Sequence, residues 1–295
     1  MRTSLRQRLT NFRPLSTLML LLLTIIWSIP TFGLLVTALR ERDEAETNPW
    51  WDAIFRFGDV NWSADAFSQS FLSAGGTAQS MGDALINTIG VTLPATVLPL
   101  IIAANAAYAF TFLNFKGKEV YFAIIVGLMV IPLQSALLPV LKGMVWVQKA
   151  LDVQFTGTYA SAWVVHSAFA LPLAIYILRN YMITLPHSLI EAARVDGASF
   201  YQIFWRLVLP MSIPALASFA IFQFLWVWND YLIAFIFVGE QKPVMTYNLL
   251  RMLGQYGEGW QDVAAGSFIS LVIPLIVFFS LQRYFIRGLT AGSVK

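Results

Sequence analysis

The sequence predicts an all-α integral membrane protein with six transmembrane helices, and its composition and long charge-free runs lead to this fold class. The chain of 295 residues is 58% hydrophobic and only 12% charged, whereas soluble globular chains carry roughly a quarter of charged residues. A soluble fold of this length has too little interior to hide so much apolar surface, so lipid is the solvent for most of the chain. Each charge-free run reaches the roughly 20 residues that cross a hydrocarbon core. The runs are Leu15–Leu39, Ala84–Phe115, Val120–Leu141, Val153–Leu178, Leu207–Asn229 and Val263–Gln282.

The first run, residues 15–39, has the basic flank of a signal peptide but not its length. Its apolar stretch of about 25 residues exceeds the roughly 7–15 residues of a signal-peptide core. We therefore expect an uncleaved first transmembrane helix, preceded by a cytoplasmic N-terminus of residues 1–14. Residues 40–83, rich in Trp, Gly, Ser and acidic side chains, are expected to form an extracytoplasmic loop. Residues 84–287 then form the main transmembrane domain.

The basic residues are distributed unequally between the two sides that these six spans define. Twelve Lys and Arg residues fall on the side of the N-terminus and seven on the opposite side. Cytoplasmic segments carry the excess of Lys and Arg in membrane proteins. The sequence therefore predicts that both termini are cytoplasmic.

The absence of certain residue types excludes several kinds of chemistry. It has no cysteine and only two histidines, His166 and His187, so it offers neither a thiolate nucleophile nor the usual ligands of a structural metal site. It also lacks the G-x-x-x-x-G-K-[ST] loop that binds nucleotide phosphates. We expect no catalytic residues, no metal and no cofactor in this chain.

The longest cytoplasmic connection, Arg179–Arg206, carries the clearest local signals. Ser188 and Glu191 form a Ser-x-x-Glu pattern, which predicts a capping box at the start of a short helix. Gly197 is expected to end that helix, because glycine adopts the left-handed conformation of a C-cap at little cost. The connection therefore begins with one short helix that stops at a glycine.

A second helix is predicted directly after this glycine. Its apolar residues recur at the spacing of an amphipathic helix; they are Phe200, Ile203, Phe204, Leu207 and Val208. The two bent helices are open to two interpretations of similar weight. They could anchor a loop at the membrane surface, or they could dock onto another protein.

The residues of this segment resemble the EAA loop of ABC importer permeases. The matching positions are Glu191-Ala192-Ala193, Asp196-Gly197-Ala198, Leu207-Val208-Leu209-Pro210 and Pro214. The chain departs from the family pattern only by Leu207 in place of Ile. The resemblance implies that residues 186–210 form a coupling helix that sits in a cleft of a cytoplasmic ATPase. It implies that the three alanines permit close approach, that Gly197 sets the bend, and that Glu191 caps the helix or pairs with a basic group of the ATPase.

Further motifs extend the resemblance over nearly the whole chain, to the MalG-type subunit of carbohydrate ABC importers. These motifs are Ile86-Asn87-Thr88, Ala106-Ala107-Tyr108-Ala109-Phe110, Met129-Val130-Ile131-Pro132, Trp228-Asn229-Asp230 and Arg287–Lys295. Their order and separations are typical of that subunit. The resemblance implies a MetI-like transmembrane core in the cytoplasmic membrane of a bacterium or archaeon.

The resemblance also implies a set of partners. They are a homologous MalF-type permease, two ATPase subunits that bind ATP and Mg, and an extracytoplasmic sugar-binding protein. Residues 288–295 correspond to a cytoplasmic tail that contacts the ATPase through Gly292, Ser293, Val294 and Lys295. The loop before the last span corresponds to one that probes the binding protein, here through Gly254, Gln255, Tyr256 and Gly257.

Polar side chains inside the spans are the candidates for a substrate pathway, because such groups are costly in lipid. Asn87, Gln134 and Ser135 are the pathway candidates, and Asn105 and His166 are also intramembrane. For each of the five, we expect a hydrogen bond between helices in preference to contact with a solute.

The sequence therefore favours the permease subunit of an ATP-driven importer for a sugar or oligosaccharide, with maltose-like α-glucosides as the first expectation. One alternative is a permease of the same fold for another solute, such as glycerol phosphate or a peptide. A second alternative is a secondary transporter, although that mechanism uses buried ionisable residues or inverted repeats, which are not evident here.

Overall fold

The computed structural model describes residues 14–72, 79–252 and 259–291, with the backbone alone for residues 283–291. These residues are almost entirely helical, and within them the only β pairing is an isolated bridge between Arg40 and Trp62. The chain divides into two units, Met1–Ala78 with Arg251–Ile269 and Gln79–Leu250 with Ser270–Lys295. The helices are α1 Pro14–Ala38, α2 Arg42–Thr47, α3 Asp52–Phe55, α4 Asp65–Leu72, α5 Met81–Phe112, α6 Lys118–Gly127, α7 Leu133–Leu151, α8 Tyr159–Met182, α9 His187–Val195, α10 Phe200–Ile203, α11 Leu209–Met211, α12 Ile213–Trp228, α13 Met245–Met252 and α14 Trp260–Ala291.

In the first unit, the end of α1 packs against the segment of short helices that follows it. The side chain of Arg40 is 2% exposed, and its guanidinium donates to the backbone carbonyls of Glu44 and Asn48 at 3.3 and 3.1 Å. Gly33 of α1 lies under the ring of Trp50, where an added Cβ would come within 2.7 Å of the indole. This close approach and the buried cation hold residues 40–50 against the end of α1.

The second unit is built around α5 and α8, which pack against each other and against α12. A capping box starts α5, because the Ser80 hydroxyl accepts from the amide of Asp83 while the Asp83 carboxylate accepts from the amide of Ser80. Pro94 and Pro99 lie inside α5 without ending it. The prolines are tolerated because neighbouring helices can satisfy freed carbonyls, as Gln223 does by donating to the carbonyl of Ala95 at 3.1 Å.

The third charge-free run, Val120–Leu141, is not one straight helix. Helix α6 continues as one 3₁₀ turn to Val130, and α7 begins at Leu133 at an angle of 107°. Ile131 and Pro132 between them have extended backbone, with ψ of 118° and 126°. Pro132 cannot donate a helical hydrogen bond and disfavours the helical conformation of the residue before it, so the helix breaks at this dipeptide.

The fifth run, Leu207–Asn229, is bent as well. Helix α12 meets the segment Phe200–Met211 at 69°, and residues 204–208 within that segment form a π-helical turn. Pro210 and Pro214 stand at the starts of α11 and α12. Prolines without a donor at this junction, together with the π turn, account for the bend.

Within the part of the chain that the structure describes, four helices are long and apolar enough to cross a membrane, and the count reaches six if each bent pair is one span. The four are Pro14–Ala38, Met81–Phe112, Tyr159–Met182 and Trp260–Gln282. The fold class predicted from the sequence, an all-α multi-pass membrane protein, is confirmed. The six charge-free runs of the sequence correspond to these four helices and to the two bent pairs, Lys118–Val130 with Leu133–Leu151 and Phe200–Met211 with Ile213–Trp228.

Candidate functional site

The segment that the sequence predicted to be cytoplasmic begins with α9, but its first turn is not capped as predicted. The helix starts at His187, so the N-cap residue is Pro186 and no side chain caps the helix. Ser188 therefore lies inside the first turn, where its hydroxyl cannot act as an N-cap. The predicted capping box of Ser188 and Glu191 is wrong, and Glu191 is left with an exposed carboxylate.

The end of α9 is the glycine stop that the sequence predicted. Gly197 has φ of +81°, and its amide donates to the carbonyl of Arg194 at 3.0 Å. The amide of Ala198 donates to the carbonyl of Ala193, also at 3.0 Å. These two bonds are the Schellman arrangement, which requires a left-handed residue after the C-cap. Gly197 thus turns the chain from α9 into the next helix.

A capping box does exist in this segment, one helix later. The Ser199 hydroxyl accepts from the amide of Gln202 at 3.4 Å, and the Gln202 side chain accepts from the amide of Ser199 at 2.7 Å. This Ser-x-x-Gln pattern starts α10. The chain between the two short helices is therefore only four residues long, from Asp196 to Ser199, and it turns at Gly197.

One face of this segment is buried in the second unit. Ile190 of α9 and Ile203, Phe204 and Val208 after the bend are 0–3% exposed and pack in one apolar cluster with the ends of α5 and α8. The predicted apolar stripe is correct for Ile203, Phe204 and Val208, and Leu207 is half-buried, whereas Phe200 is 58% exposed. Phe200 is the first residue of α10, and its carbonyl accepts from the Tyr108 hydroxyl at 3.2 Å.

Arg194 joins α9 to the end of a membrane span. Its Nη2 donates to the carbonyl of Phe112, the last residue of α5, at 2.8 Å. The ring of His187, at the start of α9, lies 5.6 Å from the ring of Phe112. A cation suits this position, because the last carbonyls of a helix are unpaired and carry partial negative charge.

The opposite face of the segment is exposed and partly apolar. Val195 and Tyr201 are 87% and 77% exposed, and they lie on either side of the bend at Gly197. Of the other positions named from the sequence, Glu191, Ala192 and Asp196 are exposed, and Ala193 and Ala198 are half-buried against the apolar cluster. The sequence reasoning missed Val195, Tyr201 and the link through Arg194, because which face of such a short helix is covered depends on tertiary packing.

Asn87, the first of the pathway candidates, is engaged by the protein itself. Its amide nitrogen donates to Gln79 Oε1 at 3.0 Å and to the carbonyl of Pro243 at 2.9 Å. Its amide oxygen accepts from the Tyr159 hydroxyl at 2.5 Å, which joins α5 to α8. These are the hydrogen bonds between elements that the sequence favoured for intramembrane polar residues, and a contact of Asn87 with a solute stays a prediction.

The remaining intramembrane polar residues are placed differently. Gln134 and Ser135 are exposed in the first turn of α7, where the Ser135 hydroxyl donates to the carbonyl of Pro132 at 2.8 Å. Asn105 donates to the carbonyl of Ile101 in its own helix. His166 is 4% exposed, and its Nε2 lies 3.8 Å from Asp230 Oδ2, which is too long for a hydrogen bond.

Two predicted contact groups lie outside the described residues. They are Gly254, Gln255, Tyr256 and Gly257 before the last span, and Gly292, Ser293, Val294 and Lys295 at the C-terminus. Both groups stay predictions. Within residues 14–72, 79–252 and 259–291, no three His, Asp or Glu side chains are grouped to hold a metal ion.

The long apolar helices and the bent segment around Gly197 define a polytopic helical membrane protein. Residues 95–291 match the family model described as the binding-protein-dependent transport system inner membrane component. The chain belongs to this family and has its MetI-like fold, which confirms the resemblance found in the sequence. It is a permease subunit and not an enzyme, and ATP hydrolysis is carried out by separate ATPase subunits.

Two relatives match over nearly their whole length. The osmoprotective compounds uptake permease protein GgtD of Synechocystis sp. is 44% identical, over 100% of this chain and 97% of the relative. The α-glucoside transport system permease protein AglG of Rhizobium meliloti is 37% identical, over 94% of this chain and 96% of the relative. A solved bacterial ABC transporter involved in the import of the acidic polysaccharide alginate has a chain that superposes with a TM-score of 0.71. That likeness covers 97% of this chain and 99% of the other at 20% identity, and it shows the fold alone.

Proposed function

We propose that this chain imports a neutral carbohydrate, most simply an α-glucoside, as one of two homologous permeases in a binding-protein-dependent ABC importer. The relatives named for α-glucosides, at 37% identity, and for melibiose, raffinose and stachyose, at 29% identity, support this substrate class. Two ATPase subunits that bind ATP and Mg, a MalF-type permease and an extracytoplasmic sugar-binding protein complete the assembly. This chain itself holds no cofactor.

The exposed tip at Gly197 carries this proposal. Val195 and Tyr201 present large apolar side chains to the outside, while the other face of the same segment is buried through Ile190 and Ile203. A segment with one face fixed to the protein and an apolar tip is suited to insert into a cleft of another protein. The exposed Glu191 and Asp196 beside the tip can pair with basic groups of an ATPase.

Coupling follows from how this tip is attached to the spans. Closure of the ATPase dimer on ATP would displace α9, and the Arg194–Phe112 hydrogen bond and the shared apolar cluster would pass that displacement to α5 and α8. The outward-open state is then favoured because the tip makes different contacts with the open and closed ATPase dimers. A ligand-driven change of state requires such a difference in contacts.

The orientation that we propose places both termini, Gly197 and the ATPase contacts in the cytoplasm, in the inner membrane of a bacterium or archaeon. Residues 1–14 and 288–295 are then cytoplasmic segments and residues 40–83 an extracytoplasmic loop. The excess of Lys and Arg on the side of the N-terminus supports this orientation.

A single-cysteine experiment tests the docking proposal and the orientation together, because the natural chain has no cysteine. Val195→Cys is matched with Val153→Cys, since both valines are exposed, at 87% and 56%, and lie on opposite proposed sides. We expect a membrane-impermeant maleimide to label the first only in inside-out vesicles and the second only in intact spheroplasts. We expect a bifunctional cross-linker to join Val195→Cys, but not Val153→Cys, to a copurified ATPase subunit.

The transport function is tested in proteoliposomes that contain the whole assembly. We expect uptake of radiolabelled maltose, trehalose or sucrose that requires ATP, both ATPases and the binding protein. Uptake by this chain and its partner permease without any ATPase would overturn the proposal in favour of a secondary transporter. Uptake of glycerol 3-phosphate or peptides but none of the three sugars would overturn the substrate class.

A further inference from the structure

A cavity of about 230 Å³ lies in the second unit, between α8, α12 and the break that separates α6 from α7. Four side chains of α8 line it at i, i+3, i+4 and i+7, and four side chains of α12 do so at the same spacing. They are His166, Phe169, Ala170, Leu173, Phe219, Phe222, Gln223 and Trp226. Two facing helical stripes therefore form the walls, and aromatic rings dominate one of them.

The residues at the break between α6 and α7 indicate whether the cavity faces lipid or water. Leu128, Met129, Ile131 and Leu133 line it from both sides of Pro132, and Ile131 and Pro132 are non-helical and exposed. Backbone without helical hydrogen bonds is not tolerated against lipid, and at membrane depth it occurs where it is buried in protein or lines a water-filled cavity. The cavity is therefore expected to face the aqueous pathway of the assembled permease and not the acyl chains. Broken helices mark binding sites in other transporters for the same reason.

Two buried polar side chains in this wall have hydrogen-bonding capacity that the described part of the chain does not use. The buried Nε2 of His166 has no hydrogen-bond partner there, since Asp230 Oδ2 is 3.8 Å away and accepts instead from the amides of Ile233 and Ala234. Gln223 donates from its amide nitrogen to Ala95, and within the described residues no donor reaches its amide oxygen. Buried polar groups are normally satisfied, so two incompletely paired groups beside one cavity indicate a ligand with hydroxyl groups.

The rest of the lining fits the apolar face of a sugar ring. Trp226, 57% exposed, and Phe169 offer aromatic surfaces, which accept the C–H face of a pyranose while polar groups bind its hydroxyls at the rim. Among the residues that the structure describes, no Asp, Glu, Lys or Arg lines the cavity, so a carboxylate in it would have no compensating charge. Its volume is below the roughly 300–1,000 Å³ of pockets for drug-sized ligands, which suits one ring and not a whole oligosaccharide.

The geometry points to a subsite of this subunit that binds one uncharged pyranose ring of the passing sugar, with Trp226 as the stacking surface and His166 as the hydrogen-bonding group. This inference rests on the proposed function and adds that this permease contacts the solute itself, with selectivity against acidic sugars. None of the pathway residues expected from the sequence, Asn87, Gln134 and Ser135, lines this cavity.

Substrate protection tests the subsite directly. In the complete assembly in nanodiscs, we expect maltose to slow maleimide labelling of Trp226→Cys several-fold, and an alginate trisaccharide at the same concentration to leave it unchanged. The matched control is Trp146→Cys, a 71% exposed tryptophan of α7 that does not line the cavity; maltose should not affect its labelling. Equal labelling of Trp226→Cys with and without maltose would overturn the subsite, as would protection by both sugars.

Transport selectivity gives a second measurement, and two cavity variants are compared so that the test still holds if one of them misfolds. We expect Trp226→Ala and His166→Phe to lower the maltose moved per ATP hydrolysed by about tenfold, with binding-protein-stimulated ATPase activity retained. His166→Phe should also change the ratio of maltose to trehalose uptake, while Trp146→Ala matches the wild type. Suppose that the wild type moves neutral sugars and that both cavity variants keep the wild-type uptake and the wild-type ratio of maltose to trehalose uptake. The subsite is then wrong and the proposed function stands. If the wild type moves no neutral sugar, the subsite and the proposed function are both wrong.

Discussion

Arg194 of α9 donates from Nη2 to the carbonyl oxygen of Phe112, 2.8 Å away, and so joins the bent segment around Gly197 to the last residue of α5. Phe112 is 8% exposed, and its carbonyl is one of the groups that a helix leaves unpaired at its C-terminus. A charged donor at this point stabilises the helix end through both the hydrogen bond and the helix dipole.

We expect Arg194→Gln to weaken coupling more than assembly. The change removes a charge-assisted hydrogen bond, which is worth about 1.5–3 kcal/mol, but it leaves the apolar cluster under α9 in place. Sugar moved per ATP hydrolysed should fall a few-fold in proteoliposomes, while the ATPase subunits still copurify. Lys116→Gln, which removes an exposed charge from the loop between α5 and α6, is the control and should keep the wild-type ratio. An unchanged ratio in Arg194→Gln would show that this bond does not transmit the displacement.

Gly197→Val tests the bend by backbone strain alone. An added Cβ at Gly197 would meet nothing within 4 Å, so the side chain itself fits. The left-handed φ of +81° costs an L-residue roughly 1–2 kcal/mol, and more when it is β-branched. We expect uptake to fall strongly while basal ATP hydrolysis remains, and Gly197→Asn to keep most of the uptake, because asparagine tolerates this conformation. If Gly197→Val imports sugar at the wild-type rate, the role of the bend is wrong.

The sequence predicted this glycine stop correctly because the signal is local. The two capping-box patterns near it are local as well, but the sequence alone does not show which of them caps a helix. Ser188-x-x-Glu191 and Ser199-x-x-Gln202 both match the capping box, and only the second one caps a helix. The difference lies in where each helix begins, and for α9 the start at His187 follows Pro186. A pattern that fits two positions does not reveal which one the tertiary structure selects.

The sequence did not single out the break in the third charge-free run, for a related reason. A charge-free run of sufficient length predicts burial in the membrane but not the continuity of the helix, and prolines in other spans, such as Pro99 and Pro172, leave their helices unbroken. At Pro132 the helix does break, and the cavity lies beside that break. Gln223, within the charge-free fifth run, was the sequence signal that could have indicated the cavity, since polar residues inside spans are costly.

Tyr159→Phe should destabilise the second unit measurably. The hydroxyl of Tyr159 donates to Asn87 Oδ1, and its removal leaves a buried amide oxygen unpaired at a cost of about 1–3 kcal/mol. We expect a lower midpoint of thermal unfolding in detergent. Asn105→Ala is the control from α5, because Asn105 is exposed and bonds only to its own helix, and its midpoint should stay near that of the wild type. Equal midpoints for Tyr159→Phe and the wild type would contradict the proposed strength of this link.

Glu46 makes the stability of the first unit depend on pH. Its Oε1 accepts from the amide of Gly259 at 2.9 Å and from Arg42 Nε at 3.0 Å. These bonds, the backbone amide first, lower the pKa of the Glu46 carboxyl below its ordinary value of 4.5. A carboxyl whose pKa is lower in the folded state binds more protons when unfolded. Its stabilising contribution is therefore complete above the ordinary value and is lost as the pH falls through the folded one.

The difference between the wild type and Glu46→Gln measures this contribution. We expect the variant to unfold at a lower temperature near neutral pH, because the neutral amide is a weaker acceptor than the carboxylate. The gap between the two midpoints should shrink as the pH falls below 4.5 and close once the wild-type carboxyl is protonated. Glu240→Gln removes an exposed glutamate of the second unit and should show only a small gap. A gap for Glu46→Gln that widens on acidification would contradict the lowered pKa, since it would mean that the folded protein binds the proton more tightly than the unfolded chain does.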